Sequence, residues 1–234
     1  AEPLPVVSIL GKKSRIIRKR DTLNLYSTVY TQSCETTSRT SEGMSFTWEI
    51  FENSMPKNLV SLSKIPAQYK LPGSLLSIGL VYEVKLTALH SSTGNYASTS
   101  VDVRVVPSDI VAVVSGGSHR SLRYGSSITL DASGSYDEDV VGLTGADAGL
   151  LFSWQCIMID PLNITSCGVL LPSGFEKVVV TADDAEYIST TSEVTCRVYD
   201  SSSRYDEFSV VVEVLPPQSP QVFLSSTVLS TTRR

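Results

Sequence analysis

The residues best suited to metal or redox chemistry in this 234-residue chain are four cysteines, Cys34, Cys156, Cys167 and Cys196, and two histidines, His90 and His119. No two cysteines form a C-x-x-C pair, and the histidines lie far from them in sequence. A zinc centre needs clustered thiolate and imidazole ligands, so none is expected. Disulfides suit the spacing better and imply an oxidising compartment. Cys156 and Cys167 are the favoured pair, because they close a short loop worth about 2.5–3 kcal/mol in the chain-entropy model. Cys156 with Cys196 is the rival pairing, and Cys34 is left unassigned, with no partner in its own half of the chain. Asn163-Ile164-Thr165 is an acceptor sequence for N-linked glycosylation and agrees with secretion.

The carboxylates cluster twice. Asp131, Asp137, Glu138 and Asp139 suggest a hard-cation site, with Asp137 and Asp139 as weak calcium ligands, but the ligand order of a calcium loop is missing. Asx-type turns that bond backbone amides explain the same residues. Asp183, Asp184 and Glu186 read as a solvated loop; paired-carboxylate hydrolysis would need a cleft and a raised acid pKa. There is no Gly-x-Ser-x-Gly elbow, and His90 and His119 sit beside turn residues, where they are expected to be exposed. Nothing here predicts an enzyme, a cofactor or a resident metal. Lys12, Lys13, Arg15, Arg18, Lys19 and Arg20 form a basic stretch in a chain of net charge −5. It reads either as a weak polyanion-binding patch or as an exposed turn whose like charges discourage edge pairing. At that net charge, general binding to nucleic acid through phosphate neutralisation is not expected.

These residues must be carried by strands. Ile128, Leu130 and Ala132 alternate with polar neighbours, as do Val194, Cys196 and Val198, and Phe208, Val210, Val212 and Val214. Period-two alternation describes strands with one buried face. Turn-forming clusters such as Ser115-Gly116-Gly117-Ser118 punctuate them, and no amphipathic helix stands out. A repeat is visible too. Val7, Ile9, Ile17, Leu23 and Leu25 recur as Ala112, Val114, Leu122, Ile128 and Leu130 at an offset of 105, and Trp48 recurs as Trp154 at 106. Val101, Val103 and Val105 match Val210, Val212 and Val214. The period is that of a domain. The expected organisation is one Ig-like sandwich over residues 1–107, a second over 108–216, and a linker or the start of a third unit over 217–234. The first residues lack a signal-peptide pattern, so the chain is expected to be a mature or excised piece of a larger one.

The only tryptophans, Trp48 and Trp154, sit in Phe46-Thr47-Trp48-Glu49-Ile50 and Phe152-Ser153-Trp154-Gln155-Cys156 and are expected at the two cores. Leu130-Asp131-Ala132-Ser133-Gly134-Ser135-Tyr136-Asp137, the second of these strands, and Val194-Thr195-Cys196-Arg197-Val198-Tyr199-Asp200 together resemble the polycystic kidney disease (PKD) repeat. Tyr69-Lys70-Leu71-Pro72-Gly73-Ser74-Leu75-Leu76 and Gly79-Leu80-Val81-Tyr82-Glu83-Val84-Lys85-Leu86 look like sandwich units of the receptor-for-egg-jelly (REJ) region of polycystin-type receptors. The resemblance covers most of residues 5–215. It implies an all-β fold of two tandem Ig-like sandwiches, of the PKD or fibronectin-III kind. It also implies an extracellular structural and ligand-binding segment of a large cell-surface or ciliary receptor, acting in adhesion or signal reception. Implied partners are other domains of the same chain and an extracellular protein or glycan. The membrane would be met only through flanking regions. A subunit of an extracellular filament or coat is an alternative. So is a carbohydrate-binding accessory module of a secreted enzyme; exposed aromatic platforms would mark that one, and Tyr96, Tyr124, Tyr136 and Tyr205 form no obvious row in the sequence.

Overall fold

The computed structural model describes residues 4–32, 39–165, 167, 169 and 174–220. The chain divides into two units between Ser108 and Asp109. Among the described residues there is no α-helix; strands are linked by turns and short 3-10 segments. Cys34 and the tail beyond residue 220 lie outside the described residues.

Unit 1 contains β1 (Pro5–Ile9), β2 (Ser14–Arg18), β3 (Thr22–Gln32), β4 (Arg39–Thr40), β5 (Met44–Glu52), β6 (Met55–Lys57), β7 (Gln68–Pro72), β8 (Val81–His90) and β9 (Tyr96–Val106). β3 is the hub of one sheet and pairs antiparallel with β1, β4 and β7. The facing sheet runs β2-β9-β8-β5-β6. Unit 2 contains β10 (Ile110–Val111), β11 (His119–Arg123), β12 (Ser127–Asp131), β13 (Tyr136–Asp137), β14 (Leu151–Asp160), β15 (Lys177–Thr181), β16 (Thr191–Tyr199) and β17 (Tyr205–Leu215). Here β11-β17-β16-β14 form one sheet, and the pairs β12-β15 and β10-β13 supply the other strands. Both units are therefore Ig-like β-sandwiches, as the alternating pattern predicts.

The repeat seen in the sequence is a repeat of register. Leu23 and Leu25 oppose Leu71 and Tyr69 across β3 and β7, and Ile128 and Leu130 oppose Val180 and Val178 across β12 and β15. Ile17 lies beside Val105 where β2 runs parallel to β9, and Leu122 lies beside Val214 where β11 runs parallel to β17. Val103, Val105, Val210, Val212 and Val214 are fully buried. Each such side chain contributes about 1.5–3 kcal/mol by leaving water.

In both units the first stretch of chain switches sheets. β1 pairs with β3, then β2 crosses to β9; β10 pairs with β13, then β11 crosses to β17. The crossings turn through left-handed backbone at Gly11 (φ 95°) and Gly116 (φ 91°), a region that glycine enters without steric cost. At each crossing an arginine folds back onto the turn. Arg15 donates to the carbonyls of Leu10 and Lys12, and Arg120 donates to those of Ser115 and Gly116.

The two indoles share a further device. Trp48 Nε1 donates to the Pro66 carbonyl at 2.9 Å, and Trp154 Nε1 donates to the Phe175 carbonyl at 2.8 Å. Each acceptor lies two residues ahead of the strand that follows, β7 or β15. The indole thus pins the incoming loop while its ring faces the core. Trp154 is buried at 6% exposure. Trp48, expected at the centre of its core, is only half-buried: it packs on the rim, 5.5 Å from the Tyr69 ring, which takes the central place with no exposed surface.

Candidate interaction surface

Around Asp137 and Asp139 the carboxylates are engaged by an arginine. Arg204, from the turn between β16 and β17, reaches into the carboxylates. Its Nη2 lies 2.6 Å from Asp137 Oδ2 and 2.8 Å from Asp200 Oδ2, and its Nη1 lies 3.7 Å from Asp139 Oδ2. A tethered guanidinium therefore stands where a cation would have to sit, and among the described residues no group of three His, Cys, Asp or Glu side chains could hold a metal. Burial pushes the Asp200 carboxyl up, but hydrogen bonds from the Arg204 backbone and side chain outweigh it and hold the group below the usual carboxylate range. The Arg204 guanidinium is itself held above its ordinary value, chiefly by the hydrogen bond to Asp137. Asp137 also accepts from the Asp139 amide at 2.9 Å.

This cluster secures the start of unit 2. Asp206 accepts from the Ala112 amide at 2.9 Å, the Glu138 carboxylate accepts from the Asp109 amide at 3.2 Å, and β10 pairs with Tyr136 and Asp137. Asp131 accepts from the Ser133 amide at 2.9 Å and lies 3.0 Å from Lys177 Nζ, an Asx turn with a salt bridge. Burial there opposes ionisation, yet the Ser133 and Lys177 contacts leave the carboxyl below its ordinary value.

Cys156 and Cys167 are bonded to each other, with Cα atoms 5.6 Å apart. The rival pairing with Cys196 is not formed. Cys196 is a free thiol with no exposed surface inside the core of unit 2, and burial pushes it up to about 12. Asp183, Asp184 and Glu186 are exposed, and Asp184 accepts from the Glu186 amide at 3.0 Å as the cap of a 3-10 turn. His119 is exposed, whereas His90, expected to be exposed, is half-buried. Its Nδ1 lies 3.1 Å from the Ser92 hydroxyl and 3.2 Å from that of Thr93.

The basic stretch is split by the fold. Lys12 and Lys13 lie exposed on the sheet crossing, Arg15 clasps that crossing, and Arg18 sits on the edge strand β2. Half-buried Lys19 and exposed Arg20 form the turn into β3. Of the six cations, Arg15 donates to backbone carbonyls of its own loop.

What the structure assembles, and the sequence hides, is a row of apolar and aromatic side chains on the open sheet face of unit 2, with a single tyrosine at the matching place in unit 1. Tyr96 and Tyr205 are the first residues of β9 and β17, 70% and 55% exposed. In unit 2, Leu151, Tyr199 and Tyr205 lie side by side across β14, β16 and β17. Arg197 stacks over the Tyr205 ring at 3.7 Å, and Glu207 is 3.8 Å from Arg197. In unit 1 the same positions hold Ser45, Leu89 and Tyr96. Exposed tyrosine side chains offer large contact area at small entropic cost. The signal in the sequence was the recurrence of tyrosine at the start of each unit's last strand. Cross-strand register, which the sequence does not display, makes the row.

Fold and surface together define a tandem Ig-like sandwich module with exposed tyrosines on its open sheet faces. The chain matches the family described as the REJ domain over residues 32–183, more than half its length. It belongs to that family. The match runs from the end of β3 to the segment after β15 and so takes in parts of both units. Solved structures with similar folds include a nucleoside hydrolase-related hypothetical protein from Saccharophagus degradans associated with carbohydrate metabolism. It is 23% identical, with a TM-score of 0.34, over 47% of this chain and 26% of that one. Protocadherin Gamma B2 extracellular cadherin domains 1-5 match at 14% identity and a TM-score of 0.35, over 94% of this chain and 41% of that one. The PKD domain from KIAA 1837 protein matches at 21% identity and a TM-score of 0.30, over 47% of this chain and 92% of that one. The chain therefore spans less than half the length of the first two.

Proposed function

We propose that this chain is an extracellular, non-catalytic spacing and binding segment of a large polycystin-like cell-surface receptor, serving adhesion or signal reception. Membership of the REJ domain family carries the reading, since that domain is extracellular in polycystin-type proteins. The Cys156–Cys167 bond supports it, because such bonds persist in oxidising compartments. Contact with a protein or glycan partner runs through the open faces bearing Leu89 and Tyr96 in unit 1 and Leu151, Tyr199, Arg197 and Tyr205 in unit 2. Rigid, exposed aromatic anchors of this kind dominate binding energy elsewhere.

The test uses the whole chain on arrays of extracellular-matrix proteins and glycans. The double variant Tyr96→Ala and Tyr205→Ala should lose binding by about tenfold or more, with its melting temperature unchanged. Undiminished binding by that variant would remove the surface from the reading. An antibody to the chain should label unpermeabilised cells, and labelling concentrated on the cilium would give the finer location. Staining only after permeabilisation would overturn the extracellular placement.

A further inference from the structure

β14 and the segment that follows it are poor in charge. From Leu151 to Phe175 the only charged residue is Asp160. Within this stretch Ile159, Leu162 and Ile164 are 39%, 65% and 41% exposed. Unit 1 closes the corresponding end with a hairpin in which β6 pairs with β5. Among the described residues unit 2 has instead an isolated bridge, in which Met158 and Ile164 exchange amide-to-carbonyl bonds of 3.1 Å, and the Cys156–Cys167 disulfide beyond it. The bridge closes a short turn through Pro161, Leu162 and Asn163, with Asn163 and Thr165 both exposed. An apolar rim on a charge-poor loop beside a long strand invites association unless something hydrophilic covers it.

We propose that Asn163 carries an N-linked oligosaccharide and that this glycan covers the apolar rim of Ile159, Leu162 and Ile164. Two independent observations meet here: the Asn-x-Thr order, and the exposure of that asparagine in the same short stretch as exposed Ile159, Leu162 and Ile164. In the reaction, Asn163 Nδ2 bonds to the anomeric carbon of an oligosaccharide carried on a polyprenyl diphosphate. The carbon–oxygen bond to diphosphate breaks, the lipid diphosphate leaves, and the amide proton passes to it. No group is oxidised or reduced. The Thr165 hydroxyl, two residues on, is the feature the transferase requires. The inference rests on the extracellular reading above.

The whole chain, secreted from cultured animal cells, tests both halves. Native treatment with peptide-N-glycosidase should remove mass and convert Asn163 to aspartate, while Thr165→Ala and Asn163→Gln chains should be secreted without that mass. Binding of a hydrophobic dye should rise by about twofold on deglycosylation and fall back when the deglycosylated chain also carries Leu162→Ser. A secreted chain with the Cys156–Cys167 bond formed and Asn163 bare overturns the glycan and leaves the extracellular reading standing. A glycosylated chain with unchanged dye binding overturns the covering role. Native protein with Cys156 and Cys167 reduced overturns the extracellular reading and this inference with it.

Discussion

Replacing Arg204 with alanine tests whether a guanidinium, not a metal ion, holds the start of unit 2. Arg204 bridges Asp137 at 2.6 Å and Asp200 at 2.8 Å, with Asp139 at 3.7 Å. The Asp137 side chain is 8% exposed, that of Asp139 7% and that of Asp200 13%, so removing the cation strands three carboxylates away from water. Breaking a buried pair from one side costs about 3–5 kcal/mol; with the arginine partly exposed, the lower end, about 3 kcal/mol, applies. For a unit of this size that corresponds to about 15 °C in melting temperature. Calorimetry of the whole chain should show the unit 2 transition fall by that amount near neutral pH, with unit 1 unmoved.

The pH dependence fixes the cause of that loss. The Asp200 carboxyl lies below its ordinary value in the folded state, so its stabilisation is full above the unfolded value and is lost as pH falls through the folded one. In the variant the Asp200 carboxyl loses the Arg204 side-chain contacts that hold it down and so takes up its proton at higher pH. The gap between parent and variant should therefore be widest above about pH 5 and close below about pH 4. Calcium should not restore the parent protein after chelator treatment, because chelation should change nothing. A loss under about 1 kcal/mol, or one constant with pH, would refute the reasoning.

Other positions make sharp comparisons between the units. Ser189 holds φ 66° where unit 1 uses Gly79 at φ 84°; Ser189→Gly should raise stability by about 0.5–1 kcal/mol in urea melts, since the left-handed strain is relieved. Ser192 is fully buried with no hydrogen-bond partner for its hydroxyl, at the position where unit 1 has Tyr82, whose hydroxyl accepts from the Ser77 amide at 3.0 Å. Ser192→Ala should stabilise by about 1 kcal/mol in the same assay, and a destabilisation would mean the hydroxyl is satisfied. Cys196, its thiol raised to about 12 by burial, should resist alkylation in the native chain near pH 8 and react fully in denaturant; native labelling would contradict its place in the core.

Much of the fold was legible in the sequence, because burial on one face of a strand writes itself as alternation. Val101, Val103 and Val105 and their counterparts at 210, 212 and 214 announce both final strands, and the offset of 105 announces the second unit. The Cys156–Cys167 pairing could be favoured but not decided, because the chain-entropy model ranks loops and says nothing of where β16 points Cys196. Trp48 looked equivalent to Trp154, yet Tyr69 occupies the centre of its core; competition for one packed volume leaves no local trace.

The sequence alone determined that the strands exist, which face of each is apolar and where the units divide, since these depend on neighbours along the chain. Only the tertiary structure decided that Arg204 enters the Asp137, Asp139 and Asp200 cluster, that Arg15 is used by its own loop, and that Leu151, Tyr199 and Tyr205 form a row. Such contacts join residues far apart in the chain. Strand register and loop closure set them, and no periodicity or spacing encodes either.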